Sequence, residues 1–207
     1  MLPFAMPESP HVPVYEQYEG YAPPFDVKLA IERMVATVPS KYLVGLGSIV
    51  LTNEDALTGK RARRMTWSRG KKVSAAKARG LYHPEWGSNP AWIELRIDSI
   101  FRNYSRRLLS FPMTRETELG RTFFHELGHH IHAQHRPEFK EKEDVADSWA
   151  KKGVGNYLWK RFWYLVPLFR LLKWLNRQLD IQGWLRRRIA ARDSRREGAK
   201  AGDKVQS

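Results

Sequence analysis

The chain has 207 residues, 42% of them hydrophobic, and its 36 Lys and Arg outweigh 22 Asp and Glu to give a formal charge of +14. That length suits one domain with tails, and the apolar fraction suffices for a core. No cysteine is present, which excludes a disulfide framework and any thiolate metal site, so a metal would have to be held by His, Asp or Glu.

Residues 1–24 contain Pro3, Pro7, Pro10, Pro13, Pro23 and Pro24 and read as an extended or irregular arm. They lack the charged start and continuous apolar run of a secretory signal, so a cytoplasmic protein is expected. A helix is predicted from Phe25 or Asp26, capped by Asp26, with Val27, Ile31, Met34, Val35 and Val38 inward and Pro39 as its stop. Residues 42–51 are strand-like. Residues 60–79 hold nine Lys or Arg and no acid, and read as a loop or solvated hairpin. A short strand ends at Leu81-Tyr82, residues 86–90 form a turn, and residues 91–97 alternate as a half-buried strand. Residues 98–107 suit a short helix.

Pro112 and Thr114 announce the next helix, with Thr114 as its cap. Leu119, Phe123, Leu127 and Ile131 form its apolar stripe, and it should end before Pro137. Another helix is predicted from about Glu138, turning Val145, Ala146, Trp149 and Ala150 inward until Gly153 and Gly155 interrupt it. The organisation expected is an arm over 1–24, a core domain over 25–152, a basic aromatic helical extension over 153–192 and a disordered tail over 193–207.

The first long helix carries His125-Glu126-Leu127-Gly128-His129. Residues four apart share a helix face, so both imidazoles can grip one Zn2+ ion while Glu126 reaches a metal-activated water as general base. A catalytic zinc takes a third protein ligand. The candidates are His135, Glu143, Asp144 and Asp147, with Glu138 and Glu141 behind them. Glu143 is preferred, because on a helix it shares a face with Asp147, and the small Ala146 and Ala150 let that helix approach the first. Asp147 would then accept the second ring N–H of a ligating histidine. His135 completes a three-histidine spacing, but ten residues of unbroken helix rotate by roughly 1000° and turn it away from His125. His130 and His132 read as residues of the surface or of the site's mouth. Tyr157, His83 and Tyr82 are candidates for stabilising a transition state, and the strand at 91–97 is the expected edge for an extended peptide.

His125-Glu126-Leu127-Gly128-His129 followed by Glu143-x-x-Ala146-Asp147-x-Trp149-Ala150 resembles the small zinc metallopeptidases of the ImmA/IrrE type, whose pattern is HExxH and then ExxA(N/D)xFA. The Glu143-x-x-x-Asp147 pair is also similar to the ExxxD signature of HtpX/Ste24-like proteases. Both resemblances imply a gluzincin metal shell of His125, His129 and Glu143. They also imply an α+β, zincin-like minimal metalloprotease domain, with a small antiparallel sheet packed on the HExxH helix and helices C-terminal to it. Trp149 stands where that pattern has phenylalanine, the interval from His129 to Glu143 is short, and no helix-turn-helix is evident.

The expected function is therefore a zinc-dependent endopeptidase acting on protein or peptide substrates. The alternative is a noncatalytic zincin-fold interaction protein that uses its basic regions. Residues 157–174 interleave seven aromatics with Lys160, Arg161, Arg170 and Lys173. Their longest uncharged run is too short to cross a bilayer, which needs about 20 residues. Residues 157–188 suit tertiary packing or an anionic membrane surface, giving a cytoplasmic or peripheral membrane location. Residues 60–79 and Arg186-Arg187-Arg188 suit nonspecific contact with nucleic-acid phosphates.

Overall fold

The computed structural model describes residues 11–57, 65–68, 71–74, 78–135, 142–165, 167–168, 170–171 and 173–174. The elements are β1 (Val14–Gln17), α1 (Val27–Val35), β2 (Leu46–Thr52), β3 (Met65–Ser68), β4 (Lys71–Ser74), β5 (Gly80–His83), β6 (Ala91–Arg96), α2 (Ile97–Phe101), α3 (Arg106–Leu109), α4 (Pro112–His135) and α5 (Lys142–Phe162). The chain divides into two compact units, Met1–Arg161 and Phe162–Ser207.

The first unit is α+β. Asp26 caps α1 by accepting the Leu29 N–H at 2.8 Å, and the helix buries Val27, Ala30, Ile31 and Met34. The four-stranded sheet runs β1-β2-β6-β5. β1 is parallel to β2, β2 is parallel to β6, and only β5 and β6 are antiparallel. The sheet is thus mixed, where a small antiparallel one was expected. The connectivity explains it. α1 carries the chain from β1 back to the start of β2, a helical crossover that leaves the two strands parallel.

β1 itself lies in the stretch that reads as an extended or irregular arm. Val12 and Val14 are buried there, and the Asn53 side chain both accepts the Glu19 N–H and donates to the Glu19 carbonyl. Four residues of strand inside a proline-rich segment leave little periodicity to detect. The basic stretch forms a pair of antiparallel strands, β3 and β4. The turn before β6 is held by Trp86 and Asn89, with Gly87 at φ 61°.

Side chains alternate across the strands, so Ile49, Leu51, Ile93 and Leu95 join α1 and α4 in one core with Leu119, Phe123, Leu127 and Ile131. The other face of β6 buries a charged pair, with Arg96 donating to Glu94 at 3.4 Å and to the Ala78 carbonyl at 3.1 Å. Proline opens α4 at Pro112, where its missing N–H costs nothing, and Thr114 lies within the first turn rather than capping it. α5 does not stop at its glycines. A Cβ on Gly153 would lie 2.3 Å from the Phe124 ring, so glycine there admits the neighbouring helix's aromatic side chain.

In the second unit, Trp163, Tyr164, Leu168, Leu171 and Trp174 are exposed. Among the described residues, no helix is long and apolar enough to cross a membrane. Expectations for 1–10, 58–64, 136–141 and 175–207, including Glu138, Glu141, Pro137, the arginine cluster and the tail, lie outside the described residues.

Candidate metal centre

α4 and α5 run antiparallel. Glu116 meets Tyr157, Gly120 meets Val154, and Gly128 meets Ala146. The last contact is the closest. A Cβ on Gly128 would lie 2.7 Å from the Ala146 Cα and 3.1 Å from its carbonyl oxygen, so the two backbones touch. His125 and His129 flank Gly128 on α4, while Glu143 and Asp147 flank Ala146 on α5. One tight crossing therefore brings all four side chains together.

The Nε2 atoms of His125 and His129 are 3.2 Å apart, and His125 Nε2 lies 3.5 Å from Glu143 Oε2. One donor atom each from His125, His129 and Glu143 falls within a 4.8 Å group that could hold a metal ion, the only such group among the described residues. His125 Nδ1 is 3.0 Å from Asp147 Oδ1. A carboxylate only accepts, so in the neutral ring Nδ1 carries the proton and Nε2 turns its lone pair to Glu143. Two electron-rich atoms facing each other at 3.5 Å form a place that could hold a cation.

Glu126 follows His125 directly on α4 and is 7% exposed. Burial pushes its carboxyl up to about 8. The backbone N–H of Tyr82 opposes the rise, and the Glu143 charge adds to it. A divalent cation at the donor group would favour its ionised form. Glycine at position 80 makes room for this carboxylate, since a Cβ there would lie 2.8 Å from Glu126 Cγ and 2.9 Å from its Oε1. β5 therefore both shapes and hydrogen-bonds the place where Glu126 sits.

The other candidates lie elsewhere. His135 ends an unbroken α4, exposed, with its ring edge-on to Tyr42. Asp144 is exposed and outside the donor group. Tyr157 is buried and donates to Glu116, toward the opposite end of the helix pair from His125. His83 stacks on Trp92 and pairs with Glu94, on the sheet face opposite Tyr82. His130 and His132 are buried, not superficial. The Val44 carbonyl only accepts, so His130 donates to it from Nε2 at 3.0 Å, leaving Nδ1 facing the Tyr82 hydroxyl at 3.4 Å. Burial holds the His130 ring below its ordinary pKa. These contacts make His130 a strut from α4 to the β2 entry and β5.

The expected substrate edge also changes. β6 lies between β2 and β5, so the edge strand beside α4 is β5. Sequence reasoning missed Gly80 and the Tyr82 amide. A lone glycine before a short strand signals a close backbone approach, but does not say to what.

The chain matches no protein-family model, no curated protein and no solved structure, so a functional reading rests on the site's own geometry.

Proposed function

We propose that the chain is a zinc-dependent endopeptidase of the gluzincin kind, with His125, His129 and Glu143 as metal ligands and Glu126 as general base. The observation that carries this reading is the convergence of three donors with a carboxylate fixed beside them. The donor set suits zinc. Tetrahedral sites with bonds of about 2.0–2.1 Å place neighbouring ligand atoms about 3.3 Å apart. Two of the three separations are 3.2 and 3.5 Å and the third lies within 4.8 Å, with Asp147 supporting His125 from behind. The sequence resemblance to ImmA/IrrE-type peptidases points the same way.

When bound, zinc would supply Lewis-acid activation of a water and of the scissile carbonyl. Glu126 then accepts the water's proton as the water oxygen bonds to the carbonyl carbon, and passes that proton to the leaving amine. Asp147 keeps His125 in the tautomer that offers Nε2 to the metal. The Tyr82 N–H and the space at Gly80 hold the Glu126 carboxylate in place.

A second reading has one observation in its favour, the exposed aromatic side chains of the second unit, which suit a noncatalytic protein docked on an anionic membrane surface. Peptide hydrolysis by the zinc-loaded protein and by Glu126→Gln separates the two. The endopeptidase reading expects Glu126→Gln to keep its zinc and lose turnover by about a hundredfold or more. Hydrolysis unchanged in that variant, or absent from the wild type, overturns it.

A further inference from the structure

From the metal centre a groove of about 710 Å³ continues along α4 and α5, away from the Gly128–Ala146 crossing. His125, Glu126 and Asp147 line one end, and Thr117 and Leu158 line the other. From His125 back to Thr117 is eight residues, or about 12 Å of helix. An extended peptide advances about 3.3 Å per residue, so the groove takes three to four residues on one side of the reacting bond. Its floor is apolar, formed by Ala150, Val154 and Leu158 on one stripe of α5.

The groove's walls are cationic. Arg121 stands one turn before His125, and Lys151 stands one turn after Asp147, while Arg79 enters from the segment before β5. Arg121 and Arg79 share a single carboxylate, Glu118, at 2.7 and 3.9 Å. Lys151 is exposed and has no ion pair among the described residues. Besides His125 and Glu126, three cations line the groove against one carboxylate, Asp147, which lies 3.0 Å from His125, while Glu118 pairs with the two arginines. Both guanidiniums remain substantially exposed, with side-chain accessibilities of 65% and 48%.

We infer that this groove is a subsite for acidic peptide segments, with Arg121 and Lys151 pairing a Glu or Asp side chain about two residues from the scissile bond. The distance follows from the helix rise, since one turn is about 5.4 Å. The inference rests on the peptidase reading for the position of that bond, while the groove's preference for acidic peptide does not. The apolar floor favours peptide over nucleic acid. It offers side-chain contact and no aromatic surface on which bases would stack.

The test uses the full-length zinc-loaded protein carrying Glu126→Gln and two fluorescent ten-residue peptide pools. One has Glu, the other Gln, at the three positions on either side of the centre. Anisotropy at low salt should show the Glu pool binding about three- to tenfold more tightly. That ratio should fall toward one in Lys151→Gln and reverse in the double variant Arg121→Glu, Lys151→Glu. Circular dichroism and zinc content establish that these variants are folded. Equal binding of the pools, or a ratio indifferent to the substitutions, overturns the inference. So does a single-stranded oligonucleotide that binds more tightly than the Glu pool and is released by the same substitutions. Hydrolysis by the wild type is scored separately. A charge preference without cleavage contradicts the peptidase reading and leaves the groove's preference for acidic peptide standing. Cleavage without the preference does the reverse.

Discussion

The α4–α5 pair is pressed backbone to backbone at Gly128 and borders an open groove at Gly155, beside the packed contacts of Val154 and Tyr157. At Gly128 the α5 backbone fills the space where a Cβ would be. At Gly155, which lines the groove, nothing lies within 4 Å of that position. The same residue type on the same helix pair therefore has opposite meanings. Contact at Gly128 holds His125 and His129 against Glu143, and openness at Gly155 leaves room along the groove. Rigid donors and an accessible approach come from a single pair of helices.

Substitutions can break that contrast. Gly128→Ala should cost about 1–3 kcal/mol of stability, because overpacking against a backbone outweighs the gain in helix propensity. It should also weaken zinc binding, since α5 must retreat with Glu143 and Asp147; thermal melts and metal titration read both. Gly80→Ala displaces Glu126 rather than a ligand, so it should lower turnover by about a hundredfold while zinc affinity holds. Steady-state rates compared with zinc titration would expose any confusion of the two roles. Asp147→Asn removes the charge that orients His125 and should weaken zinc about tenfold to a hundredfold, measured by competition with a chelator. The smallest effect sharpens the comparison most. Gly155→Ala should stabilise the protein by about 0.5–1 kcal/mol in denaturant unfolding, the opposite sign to Gly128→Ala. A destabilisation there would mean that the space beside Gly155 is filled after all.

The helix periodicity and the i, i+4 histidines place His125, His129 and Glu126 directly from the sequence, because local spacing fixes which residues share a helix face. The spacing of Glu143, Ala146 and Asp147 also marks the second face, since two small or acidic residues per turn are legible without knowing the partner. What escaped depends on contacts distant in sequence. β1 gains its strand identity by pairing with β2, and four residues carry no signal of a parallel partner. His130 reads as superficial until the Val44 carbonyl and Tyr82 close over it. Gly153 reads as a helix breaker, and only the Phe124 ring against it shows that tertiary packing overrides propensity. Asp26 is the contrary case. A cap acts within three residues, so its reading from sequence and its 2.8 Å bond agree.

The central claim is that the α4–α5 crossing assembles one metal shell from His125, His129 and Glu143. Zinc stoichiometry and affinity, measured side by side for the wild type, Glu143→Ala and His135→Ala, test it most directly. The account predicts about one zinc per chain in the wild type, loss of tight binding in Glu143→Ala and no change in His135→Ala. Normal zinc binding by Glu143→Ala together with its loss in His135→Ala would contradict it.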